Sequence, residues 1–224
     1  MSISGNLHKI KSSLPPHTTL VVVTKTHPAE LIMEVYNCGH KIFGENRVQE
    51  MIDKYKQLPK DIEWHLIGHL QSNKVKFIAP FVSLIHSVDS LKLLQEINKQ
   101  AKKNNRIINC LLQIYIAKED TKFGLNFTEA EELLQSEDFK QLQNIKIAGL
   151  MGMASNTEDK EQIAQEFQSL KHFFDTLKLS NLPTFQLTNL SMGMSSDYPI
   201  AIREGSTMIR VGSSIFGQRN YKTV

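Results

Sequence analysis

Short β-branched runs alternate with longer stretches of helical periodicity along the whole chain, and that alternation predicts repeated strand–helix units. The runs are Thr19–Thr24, Lys41–Gly44, Glu63–Gly68, Ser83–Val88, Ile107–Ile116, Ile145–Met151, Thr184–Thr188 and Thr207–Val211. Between them, Ser90–Asn105 and Lys160–Lys178 are the clearest helices, the second with Ile163, Phe167, Leu170, Phe174 and Leu177 at helical spacing. Pro28 opens the stretch Ala29–Asn37 as a first-turn proline does, and Gly39 stands where a helix stop belongs. Strands with helical returns in this number predict an α/β chain closed into a (β/α)8 barrel, a fold of about 250 residues. A six-stranded open sheet is the alternative, but the barrel uses every run. No linker, composition shift, low-complexity block or repeat breaks the chain, so one domain over residues 1–224 is expected.

Composition bears on function more than on fold. With 26 Lys and Arg against 23 Asp and Glu, the net charge of +3 names no polyanionic partner, and nucleic acid is not expected. A chain of 224 residues, 41% of them apolar, should bury roughly 70% of its unfolded surface and needs no disulfide or metal to fold. Cys38 and Cys110 stand far apart, outside any C-x-x-C pair, which argues against a thiolate zinc site; both read as small buried apolar residues. The start Met1–Asn6 lacks the pattern of a signal peptide, and no window approaches 18 uncharged apolar residues, so a cytoplasmic setting without membrane contact is expected.

In a barrel, functional groups gather where strands end. The first strand ends in Thr24-Lys25-Thr26-His27-Pro28, and a lysine there is placed for partial desolvation, which frees its amine to attack a carbonyl and form a Schiff base. The plainer reading is a lysine whose stem covers the barrel rim. Strand seven leads into Asn189–Asp197, read as a loop, and strand eight runs through Arg210-Val211-Gly212-Ser213-Ser214 into Ile215-Phe216-Gly217. Loops after strands seven and eight commonly bind phosphate in barrels, and Gly193, Gly212 and the serines suit that task, although they also suit ordinary turns. A rim lysine opposite such a cradle is what pyridoxal 5′-phosphate requires, the lysine holding the aldehyde carbon as an aldimine and the loops the phosphate. Arg210 is placed to face the pyridine nitrogen, where an arginine leaves the ring a weak electron sink; its alternative is an ion pair at the barrel end with Glu204.

These residues resemble the pyridoxal phosphate homeostasis proteins, a family similar to the amino-terminal part of alanine racemase. The resemblance runs from Val21 to Tyr221, through Val23-Thr24-Lys25-Thr26, Phe43–Glu50, Trp64–Lys74, His86–Asp89, Lys122-Phe123-Gly124, Gly149-Leu150-Met151, Leu190–Ser195 and Gly205–Gly217. It implies a barrel that binds pyridoxal 5′-phosphate through Lys25, with Asn46 beside the ring, Ser191 and the Gly212 backbone at the phosphate, and Arg210 at the ring nitrogen. It further implies a role in intracellular vitamin B6 balance without an established reaction, hence no catalytic residue; because an open site suits exchange, apo-enzymes are the expected recipients of the cofactor. Two positions depart from the family pattern: Arg47 replaces an aromatic residue, and Tyr115 stands where many members carry asparagine, near the end of strand five.

An amino-acid racemase is the first rival. It needs bases on both faces of the substrate, for which Tyr115 and His65 are the candidates beside Lys25, and true alanine racemases carry a further carboxy-terminal domain while this chain ends soon after strand eight. A cofactor-free Schiff-base lyase is the second. His65, His69 and Glu63 lack the order of a zinc motif, and no metal is expected. The run Lys99, Lys102, Lys103 and Arg106 reads as a solvated helix end. A closed barrel has no free strand edge, so a monomer is expected.

Overall fold

A computed structural model of the chain describes residues 2–118, 123–179 and 185–217, with the side chains of residues 185 and 186 left aside. Lys122, Thr184 and Tyr221, which the sequence reading used, lie outside the described residues. The strands are β1 (Thr19–Val23), β2 (Ile42–Glu45), β3 (Glu63–Leu66), β4 (Leu84–Val88), β5 (Ile108–Ile114), β6 (Ile145–Gly152), β7 (Phe185–Met194) and β8 (Met208–Val211). All neighbours pair in parallel and β8 returns to β1, with Val21 opposite Arg210, so the sheet closes into the (β/α)8 barrel that the alternation predicts.

The helices are α1 (Ile3–Ser13), α2 (Ala29–Asn37), α3 (Val48–Gln57), α4 (Val75–Ile78), α5 (Leu91–Lys103), α6 (Phe127–Gln135), α7 (Glu137–Lys140), α8 (Lys160–Leu179), α9 (Tyr198–Arg203) and α10 (Ser213–Phe216). Local chemistry explains several ends. Pro28 caps the start of α2, and Gly39 leaves it at φ +78°, a conformation only glycine adopts freely. The Ser90 hydroxyl accepts the Leu93 N–H at the start of α5, and Asn126 with Glu129 forms a reciprocal capping pair on α6. Among the described residues no helix is long and apolar enough to cross a membrane.

Side-chain alternation sorts the strands into two cores. Leu20 and Val22 point outward into the large cluster shared with the helices, while Val21 joins Leu84, Leu111, Ala148, Met151 and Met208 inside the barrel. Trp64 and Leu66 are fully buried packing residues.

The structure corrects the sequence reading in several places. β7 runs on through Asn189–Met194, which had read as a loop: Gly149, Leu150 and Met151 of β6 pair with Asn189, Leu190 and Ser191, and β8 pairs on the other side. A ladder on both edges outweighs the turn preference of Asn, Ser and Gly. Cys38 is exposed at the end of α2, not buried as expected, whereas Cys110 is buried. Arg106 is not simply solvated, since its guanidinium donates to Ala79 O at 2.6 Å and Val82 O at 2.7 Å, satisfying carbonyls just after α4.

Candidate functional site

Lys25 follows β1 in a tight turn whose two flanking threonines are held from below. Thr24 is fully buried and donates through its hydroxyl to Glu45, while the Thr26 N–H donates to Glu50. Thr26 sits at φ +68°, a left-handed conformation that costs a β-branched residue energy and persists only where neighbours impose it. The Lys54 ammonium ties the turn together, donating at 2.7 Å to Glu45, 2.7 Å to Glu50 and 2.8 Å to Thr24 O. Burial raises the Glu45 carboxyl to about 7, and the charge and hydrogen bond of Lys54 with the Thr24 hydroxyl hold it from going higher. A buried ion cluster thus fixes the backbone on both sides of Lys25.

Above this cluster lies a cavity of about 330 Å³, lined by Lys25, Asn46, Arg210 and Gly212 together with Ser195, Ser196 and Ser213. Apolar walls come from Val23, Ile67, Met153 and Met194. Asn46 leaves the end of β2 and its backbone crosses Gly68 so closely that a Cβ there would stand 2.4 Å from Asn46 O, which is why position 68 carries glycine. Between β7 and α9, Asp197 Oδ1 accepts the Met194 N–H at 2.5 Å and shapes the turn that presents Ser195 and Ser196. Ser195 Oγ accepts the Gly212 N–H at 3.2 Å, joining the ends of β7 and β8.

Four of the five residues singled out from the sequence, Lys25, Asn46, Arg210 and Gly212, therefore meet in one pocket. Ser191 is not on its wall. It is completely buried within β7, where its carbonyl and hydroxyl accept the two Arg210 Nη1 hydrogens at 2.8 and 2.6 Å. Arg210 Nη2 donates to Gly152 O at 3.1 Å. The ion pair with Glu204 is not formed: Glu204 accepts from Arg203 and Gln168 on the surface, on the far side of the turn that precedes β8. Burial draws the Arg210 guanidinium down to about 10, with Asp197 opposing, so it stays protonated at neutral pH.

Ser195, Ser196 and Ser213 line the cavity; the sequence reading includes them among the loop serines but starts the loop at Asn189, six residues before the end of β7 frees the chain at Ser195, and the Gly-Met-Ser-Ser-Asp spacing is the signal that marks the true turn. Of the two family departures, Arg47 lies on a neighbouring cavity of about 360 Å³ that shares Asn46, and Tyr115 is on neither wall. His65 is 4% exposed and faces the barrel interior against His86 rather than the pocket. Among the described residues no three His, Cys, Asp or Glu side chains gather where a metal ion could be held.

Residues 2–220 match the family described as "Alanine racemase, N-terminal domain". The pyridoxal phosphate homeostasis protein of Aquifex aeolicus is 43% identical over 203 residues, which span 90% of this chain and 87% of that one. Solved structures of PipY from Synechococcus elongatus superpose with a TM-score of 0.91 without PLP (38% identity) and 0.86 with PLP bound (39% identity), each over 96% of this chain and 100% of that one. Alanine racemase of Clostridium difficile superposes with a TM-score of 0.80 at 17% identity, over 61% of its own length, a likeness that shows the fold alone.

Proposed function

This chain belongs to the alanine racemase N-terminal domain family, among the pyridoxal phosphate homeostasis proteins, and from that premise we propose that it holds pyridoxal 5′-phosphate at Lys25 and takes part in vitamin B6 homeostasis without catalysis of its own. The observation that carries the reading is the donor set of the 330 Å³ cavity: a primary amine, three serine hydroxyls with the Gly212 backbone, and a buried guanidinium. That set fits the cofactor, whose aldehyde needs an amine, whose phosphate needs hydroxyl and N–H donors, and whose ring nitrogen accepts a hydrogen bond. The volume is at the lower end of ordinary ligand sites.

When bound, the cofactor supplies an aldehyde carbon that takes up a primary amine reversibly. The chain's own residues do the rest. Lys25 offers the amine, and the Glu45–Lys54–Glu50 cluster holds the turn that carries it. Ser195, Ser196 and Ser213 offer hydroxyls to the phosphate, joined by the backbone around Gly212. Arg210 donates toward the ring, Asn46 flanks it, and Met153 and Met194 close the wall against water. A guanidinium stays protonated, which keeps the ring nitrogen from gaining the positive charge that carbanion chemistry needs. Ser191, which the family resemblance assigns to the phosphate, is proposed here to hold Arg210 from behind the pocket wall.

The racemase reading is not favoured. Among the described residues lining the pocket, Lys25 is the one side chain whose neutral form could serve as a base, and a racemase needs two. We further propose a single domain, a monomer in the cytoplasm, and apo-enzymes that require the cofactor as its recipients; the continuous barrel without a free strand edge and the two unpaired cysteines support the first parts of that reading.

The test is spectroscopic. Protein mixed with pyridoxal 5′-phosphate should gain a visible absorbance band, and borohydride should bleach it and leave a pyridoxyl group on Lys25 by peptide mass mapping. Lys25→Ala should lack the band. Protein that is colourless once unbound cofactor is removed, or the label on another lysine, overturns the assignment, as would turnover of any amino acid at about 1 s⁻¹ or more.

A further inference from the structure

Four buried polar side chains from four strands form one chain across the barrel interior. His65 Nδ1 on β3 lies 3.1 Å from His86 Nε2 on β4, and His86 Nδ1 lies 3.0 Å from Ser191 Oγ on β7. Ser191 Oγ in turn accepts from Arg210 Nη1 on β8 at 2.6 Å. None of the four is more than 4% exposed, and of them Arg210 alone reaches the pocket wall.

We infer that His86, backed by His65, is a positioning residue that acts through Ser191 on Arg210 and so fixes the guanidinium that faces the cofactor. The part concerning the cofactor rests on the proposed function; the part concerning Arg210 does not.

Burial holds both histidines neutral, His65 down at about 3 and His86 well below its ordinary value, the latter also opposed by the Arg210 charge. A neutral imidazole has one donor nitrogen and one acceptor nitrogen. Ser191 Oγ already receives an Arg210 N–H, so its own proton needs an acceptor, and His86 Nδ1 is the group beside it. That makes His86 the Nε2–H tautomer, which donates to His65 Nδ1 and makes His65 the Nε2–H tautomer as well. One order, Arg210 to Ser191 to His86 to His65, satisfies every described contact. The reverse order aims two donors at Ser191 and leaves its hydroxyl proton without a described partner, a costly arrangement in a dry interior.

The consequence falls on Arg210. Both Nη1 hydrogens go to Ser191 and one Nη2 hydrogen to Gly152 O, so three of five donors are spent inside the barrel and two remain. The rotation of the guanidinium about its own axis is thereby set by the serine, whose hydroxyl is set by His86.

Nitrogen-15 NMR on the protein prepared without cofactor tests this directly. Both histidines should show the Nε2–H tautomer, and the Arg210 Nη1 hydrogens, which Ser191 receives, should exchange slowly with solvent. His86→Phe keeps the bulk and removes the acceptor, and should speed that exchange by roughly 2–10-fold, the loss expected from one neutral hydrogen bond. His86→Asn, whose Oδ1 can stand where Nδ1 stands, should restore most of the protection. Ser191→Ala, a smaller change, should act like His86→Phe and keeps the test alive if that variant does not fold. With pyridoxal 5′-phosphate added, the first and third variants should shift the visible absorbance maximum. An Nδ1–H tautomer at His86, or unchanged Arg210 exchange in both His86→Phe and Ser191→Ala, overturns the inference. Altered exchange with an unmoved spectrum overturns its cofactor part, and a native protein that binds no pyridoxal 5′-phosphate overturns the proposed function while leaving the relay standing.

Discussion

Lys54→Met removes the cation at the centre of the cluster beneath Lys25 while keeping the length and most of the volume of the side chain. The Lys54 side chain is 8% exposed and its partners Glu45 and Glu50 are 0% and 23% exposed. Removing one member of a buried pair strands the other, and for Glu45 no solvent replaces the lost donor; the expected cost at pH 8 is about 3–5 kcal/mol. At about 2–4 °C per kcal/mol for a chain of this size, the melting temperature should fall by roughly 6–20 °C. The pH dependence carries the sharper test. Glu45 is raised from 4.5 to about 7 in the folded protein, and a carboxyl raised in this way favours folding below its unfolded value and loses that contribution as pH climbs through the folded one. Without Lys54, which pulls Glu45 down, the folded value climbs further, so more stability is lost on the way to pH 8. At pH 5 Glu45 is protonated in both proteins and needs no cation. The difference between native and variant should therefore widen from pH 5 to pH 8 in thermal denaturation, and Glu45→Gln on the variant background should recover more at pH 8 than at pH 5. A cost that is the same at both pH values, or below ~1 kcal/mol at pH 8, would refute the reasoning. Because Lys54 and Glu50 also hold Thr24 O and the Thr26 N–H, the same variant should weaken binding of pyridoxal 5′-phosphate, measured by titration of the visible band.

Gly68→Ala places a Cβ 2.4 Å from Asn46 O, so the backbone at Asn46 must move; a loss of about 1–3 kcal/mol in denaturant titration is expected, with a rise in Kd for pyridoxal 5′-phosphate, and unchanged values for both would show that Asn46 yields without consequence. Ser195→Ala removes a hydroxyl from the cavity and the acceptor of the Gly212 N–H, and should weaken pyridoxal 5′-phosphate by roughly 5–30-fold while leaving pyridoxal, which lacks the phosphate, little changed. Equal losses for both ligands would move the phosphate elsewhere. Arg210→Lys should be nearly as damaging as Arg210→Met, since one ammonium cannot reach Ser191, Gly152 O and the cavity together; retention of the native absorbance maximum in the lysine variant would count against the role of the planar guanidinium.

The sequence by itself determined the architecture and one side of the site. Eight apolar runs with helical returns can close only a limited set of sheets, and Pro28, Gly39 and Ser90 punctuate α2 and α5 through local backbone chemistry that needs no neighbour. Lys25 was legible because it directly follows an unmistakable strand. α1 was not, since Leu7 and Ile10 are its only buried positions and much of its support comes from α10 at the other end of the chain. Tertiary structure alone decided the other side. Whether Asn189–Met194 is loop or strand depends on β6 and β8 standing along both edges, and that extension carries Ser191 inward to Arg210 while the turn beyond it delivers Ser195 and Ser196. Glu45, Lys54, His65 and His86 are polar residues whose neighbours in sequence say nothing of their burial. Parallel pairing and barrel closure bring them together across many residues, and it is the removal of water there that turns ordinary side chains into a clamp and a relay.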